Sequence, residues 1–171
     1  METWQTIISR RNVRLYTGEA LATEDLDRIL EAARRTPSSK NEQRWDFVVC
    51  TDRDELRELS RVWQGAGHVA TSAATIALVA PVAAEARLRE SIQYDLGQVT
   101  MSIMLAAADL GIGTGHAGVH DQETAREVLG LPEDRFCAWL IALGYPADRP
   151  LRPIRNPARR PFTSVVHRGR W

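Results

Sequence analysis

The chain has 171 residues, 44% of them hydrophobic, with 22 basic and 22 acidic side chains. That hydrophobic content excludes a disordered polymer, and the charge balance excludes a generic polyanion binder, so no nucleic-acid partner is expected. No window approaches the ~18 consecutive apolar residues of a membrane span, and Met1-Glu2-Thr3-Trp4 lacks the basic start and apolar run of a secretion signal. A single cytoplasmic domain over residues 1–171 is expected, with an extended arm from about Ala147 onward.

Periodicity predicts alternating helices and strands. Met1 to Arg11 reads as a helix with Trp4, Ile7 and Ile8 on one side. Thr23 is a candidate cap for a second helix, in which Leu26, Ile29, Leu30 and Ala33 form a buried stripe. Pro37 ends it near Thr36. A polar loop, Ser38 to Gln43, leads into a strand from Trp45 to Cys50. Thr51-Asp52-Arg53-Asp54 has the form of a capping box, opening a helix to about Val62. After a turn at Gly65 and Gly67, Ala74 to Ala80 is a continuous apolar strand, buried on both faces.

The longest helix is expected from about Glu85 to Leu110. Its part from Val99 to Ala108 is apolar or small on nearly every side, so it requires cover all round, most economically by a second subunit. Gly111 to Gly115 reads as a turn whose bare backbone amides, with Gly118, suit close approach to a flat ligand, and it feeds the short segment His116 to Val119. Asp121 caps a helix to Leu129 with Gly130 as its stop, and Phe136 to Pro146 is a core strand.

Four features carry candidate chemistry. Ser9-Arg10-Arg11-Asn12-Val13-Arg14 places three guanidinium groups at the expected helix end, with Glu2 and Glu19 the nearest carboxylates in sequence. Such a cluster faces either water or an anionic ligand. The Thr36 to Gln43 loop concentrates hydroxyls and amides that either cup a polar small molecule or satisfy the loop's own backbone. The glycine turn follows a helix rather than a strand, which rejects a Rossmann fingerprint. The tail Arg155 to Pro161 carries arginines ahead of an apolar return at Phe162 and Val165-Val166, as a docked tail would. Cys50 and Cys137 lie in apolar runs as reduced core thiols, with a structural disulfide the alternative. The four scattered histidines lack metal-ligand spacing, so no metal is expected.

The order of these motifs resembles the nitroreductase family of flavin-dependent oxidoreductases over nearly the whole chain. The matching elements are Arg10 to Tyr16, Thr36 to Trp45, Asp95-Leu96-Gly97 opening the central helix, Leu110 to Gly115, Val128 to Pro132, Ala142 to Pro146 and Val165-Val166-His167. The resemblance implies an α+β fold, a mixed, mostly antiparallel sheet flanked by helices, in an intertwined homodimer with FMN at the interface. It implies that Arg10, Arg11 and Asn12 hold the phosphate and ribityl chain and that Arg14 approaches the pyrimidine edge. Pro37, Ser38, Ser39 and Asn41 would come from the partner subunit, His116, Ala117 and Gly118 would lie against the isoalloxazine, and Arg159 or Arg160 would return to the phosphate.

The implied activity is hydride transfer from NADH or NADPH through FMN to an electron-poor acceptor, a nitroaromatic or quinone, by a ping-pong cycle with no catalytic side chain. The alternative is an FMN storage or redox-sensing protein. Three departures from the family pattern stand out: Asn12 where serine is frequent, Arg44 where proline is frequent (an expected gain in positive charge at the mouth), and a short Pro81 to Asp95 segment that leaves little room for a lid.

Overall fold

The computed structural model describes residues 2–171. Four strands, β1 (Asp46–Cys50), β2 (Ala74–Pro81), β3 (Gly113–Gly118) and β4 (Arg135–Gly144), form one sheet in the order β1-β2-β4-β3. Every pairing between them is antiparallel. The mixed character comes from the segment after the first helix, where Asn12 makes an isolated parallel bridge to Thr114. β2 is apolar throughout because it is central, and it is buried along nearly all its length, as its composition predicts.

Helices cover both faces. On one side α2 (Thr23–Arg34) and α4 (Ala86–Asp109) enclose Ile29, Ile76, Leu96, Ile103 and Ile141. On the other, α3 (Arg53–Leu59) and α5 (Gln122–Leu129) enclose Leu56, Leu59, Ala125 and Leu140. α1 (Thr3–Ser9) lies against α4. Among the described residues, no helix is long and apolar enough to cross a membrane.

Several boundaries differ from the sequence expectations. Residue 1 lies outside the described residues, and α1 ends at Ser9 rather than Arg11, because Arg10 turns extended (φ −65°, ψ 132°) to reach the sheet. Thr23 is the first residue of α2 rather than its cap; the cap position is Ala22, with no side-chain bond. In α3 the cap is Asp52, whose carboxylate accepts from the amides of Asp54 and Glu55, and the helix stops at Leu59. Asp95 lies in the middle of α4 rather than opening it. Asp121 and Gly130 bracket α5 as expected, Gly130 in the left-handed region at φ 63°. Cys50 and Cys137 are buried free thiols, and burial pushes each up to about 12.

The largest correction concerns the glycine turn. Gly113 to Gly118 is a strand, paired residue by residue with β4, and its glycines admit a neighbouring chain. A Cβ on Gly113 would lie 2.6 Å from Val13 Cγ2, and one on Gly115 would lie 2.4 Å from the Val13 carbonyl oxygen. Gly113 and Gly115 are therefore occupied by the 10–14 segment and are not free to approach a ligand.

Beyond β4 the tail carries only a short 3₁₀ turn at Phe162–Ser164. It is tied back by the Ile154 amide donating to the Ile8 carbonyl at 3.0 Å.

Candidate functional site

Because residues 10–14 run extended, their side chains alternate. Val13 is fully buried and its amide donates to the Thr114 carbonyl at 2.8 Å. Tyr16 pins the same segment, its hydroxyl donating to the Val13 carbonyl at 2.9 Å. Alternation then sets Arg10, Asn12 and Arg14 on one side and Arg11 with Val13 on the other. Arg11 is spent on the tail: it donates to Asp148 Oδ1 at 2.7 Å and to the Arg149 carbonyl at 2.5 Å. The cluster therefore faces more than water or an anionic ligand, the two outcomes expected of it, since folding brings in Asp148 from 137 positions away. The role expected of Arg11 at a phosphate competes with this ion pair.

Arg10 and Arg14 make no ion pair among the described residues. Arg10 Nη1 donates to Met104 Sδ at 3.2 Å and, weakly, to Asn12 Oδ1 at 3.4 Å. Burial first, and then the charge of Arg159, lowers its affinity for a proton. Arg10 and Arg159 line one cavity of about 350 Å³ with Trp4, Ile7, Met101 and Ile154. Arg160 is directed elsewhere, donating to the Ser164 carbonyl at 2.6 Å. Of the two tail arginines, Arg159 is the one beside Arg10.

β3 is the sheet edge. The Thr114 carbonyl points outward to Val13, so by the period of a strand the backbone groups of His116 and Gly118 also point outward, while those of Ala117 face β4. Ala117 is 1% exposed and its methyl belongs to the core. The 116–118 segment is therefore a strand edge rather than a turn, and it presents two amides instead of three.

The His116 ring lies edge-on to Trp139 with centroids 6.0 Å apart, and its Nδ1 is buried without a hydrogen-bond partner. Burial lowers its pKa, and Arg14 and Arg10 lower it further, which sets both guanidinium groups near this ring. His68, buried on the opposite face of β3, is also lowered, by burial and then by Arg14 and His116, against the raising effect of the Gly115 and Gly65 backbone. No group of His, Cys, Asp and Glu among the described residues could hold a metal.

Both imidazoles stay neutral in the folded protein at pH values where they protonate in the unfolded chain. The unfolded state then binds more protons, so stability is complete above about pH 6.5 and falls as the pH drops through that value. Urea titrations between pH 7.5 and 5 are expected to show this decline, and His68→Phe is expected to flatten it.

The polar loop is built differently. Lys40, Asn41 and Gln43 all have positive φ, 53°, 56° and 49°. Three non-glycine residues in the left-handed region store strain, which is characteristic of a binding loop. The conformation is held by Ser38 Oγ, which accepts from the Gln43 amide at 2.9 Å. It is held also by Asp95, whose two carboxylate oxygens accept from the Ser39 amide at 3.1 Å each. Asp95 is 2% exposed, and its hold on the loop is not legible in the sequence, where it reads only as part of the Asp95-Leu96-Gly97 element of the central helix. Arg44 pairs with Glu42, so the expected cationic mouth is locally neutralised.

Loop and arginine cluster are not brought together in one chain. One is anchored at Asp95 and the other touches Met104, nine residues and about 14 Å further along α4.

Among the described residues, two unpaired guanidinium groups lie beside an outward strand edge in an α+β fold, an arrangement suited to a flat ligand with an anionic end. Comparison with known proteins sharpens this. The sequence matches the model of the nitroreductase family over residues 7–66 and 61–145. It is 32% identical, over 99% of both chains, to an Archaeoglobus fulgidus protein named, provisionally, NADH dehydrogenase/NAD(P)H nitroreductase. It is 28% identical to the FMN reductase [NAD(P)H] of Bacillus subtilis, over 91% of this chain and 70% of that one. Nitroreductase A of Vibrio parahaemolyticus superimposes with a TM-score of 0.87 at 26% identity, covering 99% of this chain and 76% of that structure. The chain belongs to the nitroreductase family.

Proposed function

We propose that this protein is a homodimeric, FMN-dependent NAD(P)H oxidoreductase. The observation that carries the proposal is the convergence of Arg10, Asn12, Arg14, Arg159 and the outward His116–Gly118 edge, with no carboxylate among the described residues paired to Arg10 or Arg14. These residues fit FMN: an unneutralised guanidinium pair for a phosphate of about two negative charges, free edge amides, and a buried unpartnered His116 Nδ1. Bound there, FMN would supply two-electron chemistry, taking hydride from NADH or NADPH and passing the electrons to an electron-poor acceptor such as a nitroaromatic or quinone in a ping-pong cycle.

The chain's own residues divide the remaining work. Arg10 and Arg159 bind the phosphate; Asn12 orients the ribityl chain; Arg11 holds the tail through Asp148 and so keeps Arg159 in place. Arg14 stabilises the negative charge that collects at the pyrimidine edge on reduction. The amides of His116 and Gly118 orient the ring. No side chain is called on as nucleophile or base.

The separation of the Ser38–Asn41 loop from the arginine cluster favours a site completed by a second copy, whose Pro37, Ser38, Ser39 and Asn41 would close it. Exposed apolar groups on α1, α4 and the tail (Trp4, Ile7, Met101, Ile154) supply a surface for that copy to cover. The cytoplasm, where reduced nicotinamide nucleotides are kept, is the compartment such an enzyme requires.

Arg14→Ala is expected to lower the flavin's reduction potential while leaving FMN affinity nearly intact. For a two-electron couple each 1.4 kcal/mol of lost differential stabilisation is about 30 mV. Potentiometric titration of wild type and variant measures it; an unchanged or raised potential would remove Arg14 from this role. Steady-state kinetics test the cycle itself, with parallel double-reciprocal lines expected and intersecting lines contradicting it.

A further inference from the structure

We infer that the cleft between the start of α4 and the β2–β4 ends is a second binding site, for an apolar ligand carrying a single carboxylate. It is a cavity of about 720 Å³, within the range of small-molecule sites. Its walls are Pro81 at the end of β2, Ile92 on α4 and Phe136 at the start of β4. It is distinct from the proposed flavin site: none of Arg10, Asn12, Arg14, His116 and Arg159 lines it.

Its polar groups are few, and two of them are cations. Arg126, on α5, donates through Nη2 to the Arg135 carbonyl at 3.3 Å, while its Nε is buried and has no hydrogen-bond partner. Arg126 and Arg89 both line the cleft, so their guanidinium groups are the charged donors that a ligand entering it meets. Arg89 is steadied by donating to the Ala83 and Ala84 carbonyls. The one carboxylate on the lining, Glu90, also borders the neighbouring groove by Ser39, and it forms no ion pair with either arginine among the described residues. Two cations against one anion leave room for one negative charge.

The wall is preorganised. Gln122 is locked to β4, donating to the Cys137 carbonyl at 2.7 Å and accepting from the Cys137 amide at 3.1 Å. Gln93 accepts from Trp139 Nε1 at 3.2 Å, which links the cleft to the indole beside His116. Apolar walls with a fixed amide frame and two guanidinium groups on the lining select a carboxylate on a hydrocarbon or aromatic body over its neutral analogue.

Isothermal titration of the purified holoprotein with octanoate, and separately with octanamide, tests this. Saturable octanoate binding at least about tenfold tighter than octanamide is expected, and Arg126→Gln is expected to reduce octanoate to the level of octanamide. Ala86→Trp, which fills the cleft from an exposed lining position, is expected to abolish both while leaving flavin absorbance unchanged. Equal affinity for the two probes, no saturable binding, or octanoate binding unaffected by Ala86→Trp would each overturn the site. Loss of flavin from the wild-type protein would bear on the oxidoreductase proposal alone.

Discussion

Arg10→Ala is expected to weaken FMN binding by about ten- to a hundredfold, the loss of one charge-assisted hydrogen bond worth about 1.5–3 kcal/mol to a charged acceptor. The reason is local geometry. Among the described residues, Arg10 is held in place by nothing stronger than a thioether contact to Met104 and a long bond to Asn12, which leaves donors available. Its charge is already opposed by Arg159, and an anion between them relieves that repulsion. Arg11→Ala supplies the contrast. Its partner is Asp148, so the expected effect is a loosened tail, seen as faster proteolysis after Asp148, with a smaller loss of FMN affinity. Quenching of FMN fluorescence on titration with protein measures both. If Arg11→Ala lost flavin and Arg10→Ala kept it, the alternation assigned to residues 10–14 would be wrong.

Gly115→Ala is expected to produce the largest structural effect of any single methyl group in the site. The new Cβ would lie 2.4 Å from the Val13 carbonyl oxygen and 2.9 Å from His68 Nε2. The carbonyl is backbone and is already held, by the Tyr16 hydroxyl on its oxygen and by the Val13 amide bonded to Thr114. Relief therefore requires the 10–14 segment to move off β3. Overpacking of this kind costs about 3 kcal/mol, or roughly 6–12 °C in Tm for a chain of this size. Since Arg10 and Arg14 move with that segment, FMN affinity is expected to fall with it. Gly118→Ala is the control: the nearest atom to its Cβ is 3.8 Å away, an ordinary contact, and little change in Tm is expected. Calorimetry of the two variants separates them, and equal stabilities would contradict the close approach of Val13 to β3.

Much of this was legible in sequence wherever a local pattern was decisive. The stripe on α2, the apolar run of β2 and the Asp121 to Gly130 bracket of α5 each encode their own structure. Legibility failed where a distant partner decides. Gly113 to Gly118 looks like a turn by composition and is a strand only because β4 pairs with it.

The end of α1 is likewise not legible: periodicity carries the helix to Arg11, whereas it stops at Ser9, because the pull of the Asn12–Thr114 bridge does not show in helix periodicity. The site followed the same rule. The arginine cluster was found from its charge density, but its division into an outward and an inward set depended on the extended backbone. Asp148 and Asp95 both hold site elements in place, and neither carries a local signal of the partner it holds. The order of motifs along the chain identifies the family independently of these contacts.

The visible spectrum of the purified protein, before and after anaerobic addition of NADH or NADPH, is the most direct measurement. The expected result is absorbance near ~450 nm that survives dialysis, is bleached by one of the two nucleotides, and is lost in Arg10→Ala. A colourless protein that takes up no added FMN, or a bound flavin that neither nucleotide bleaches, would contradict the assignment.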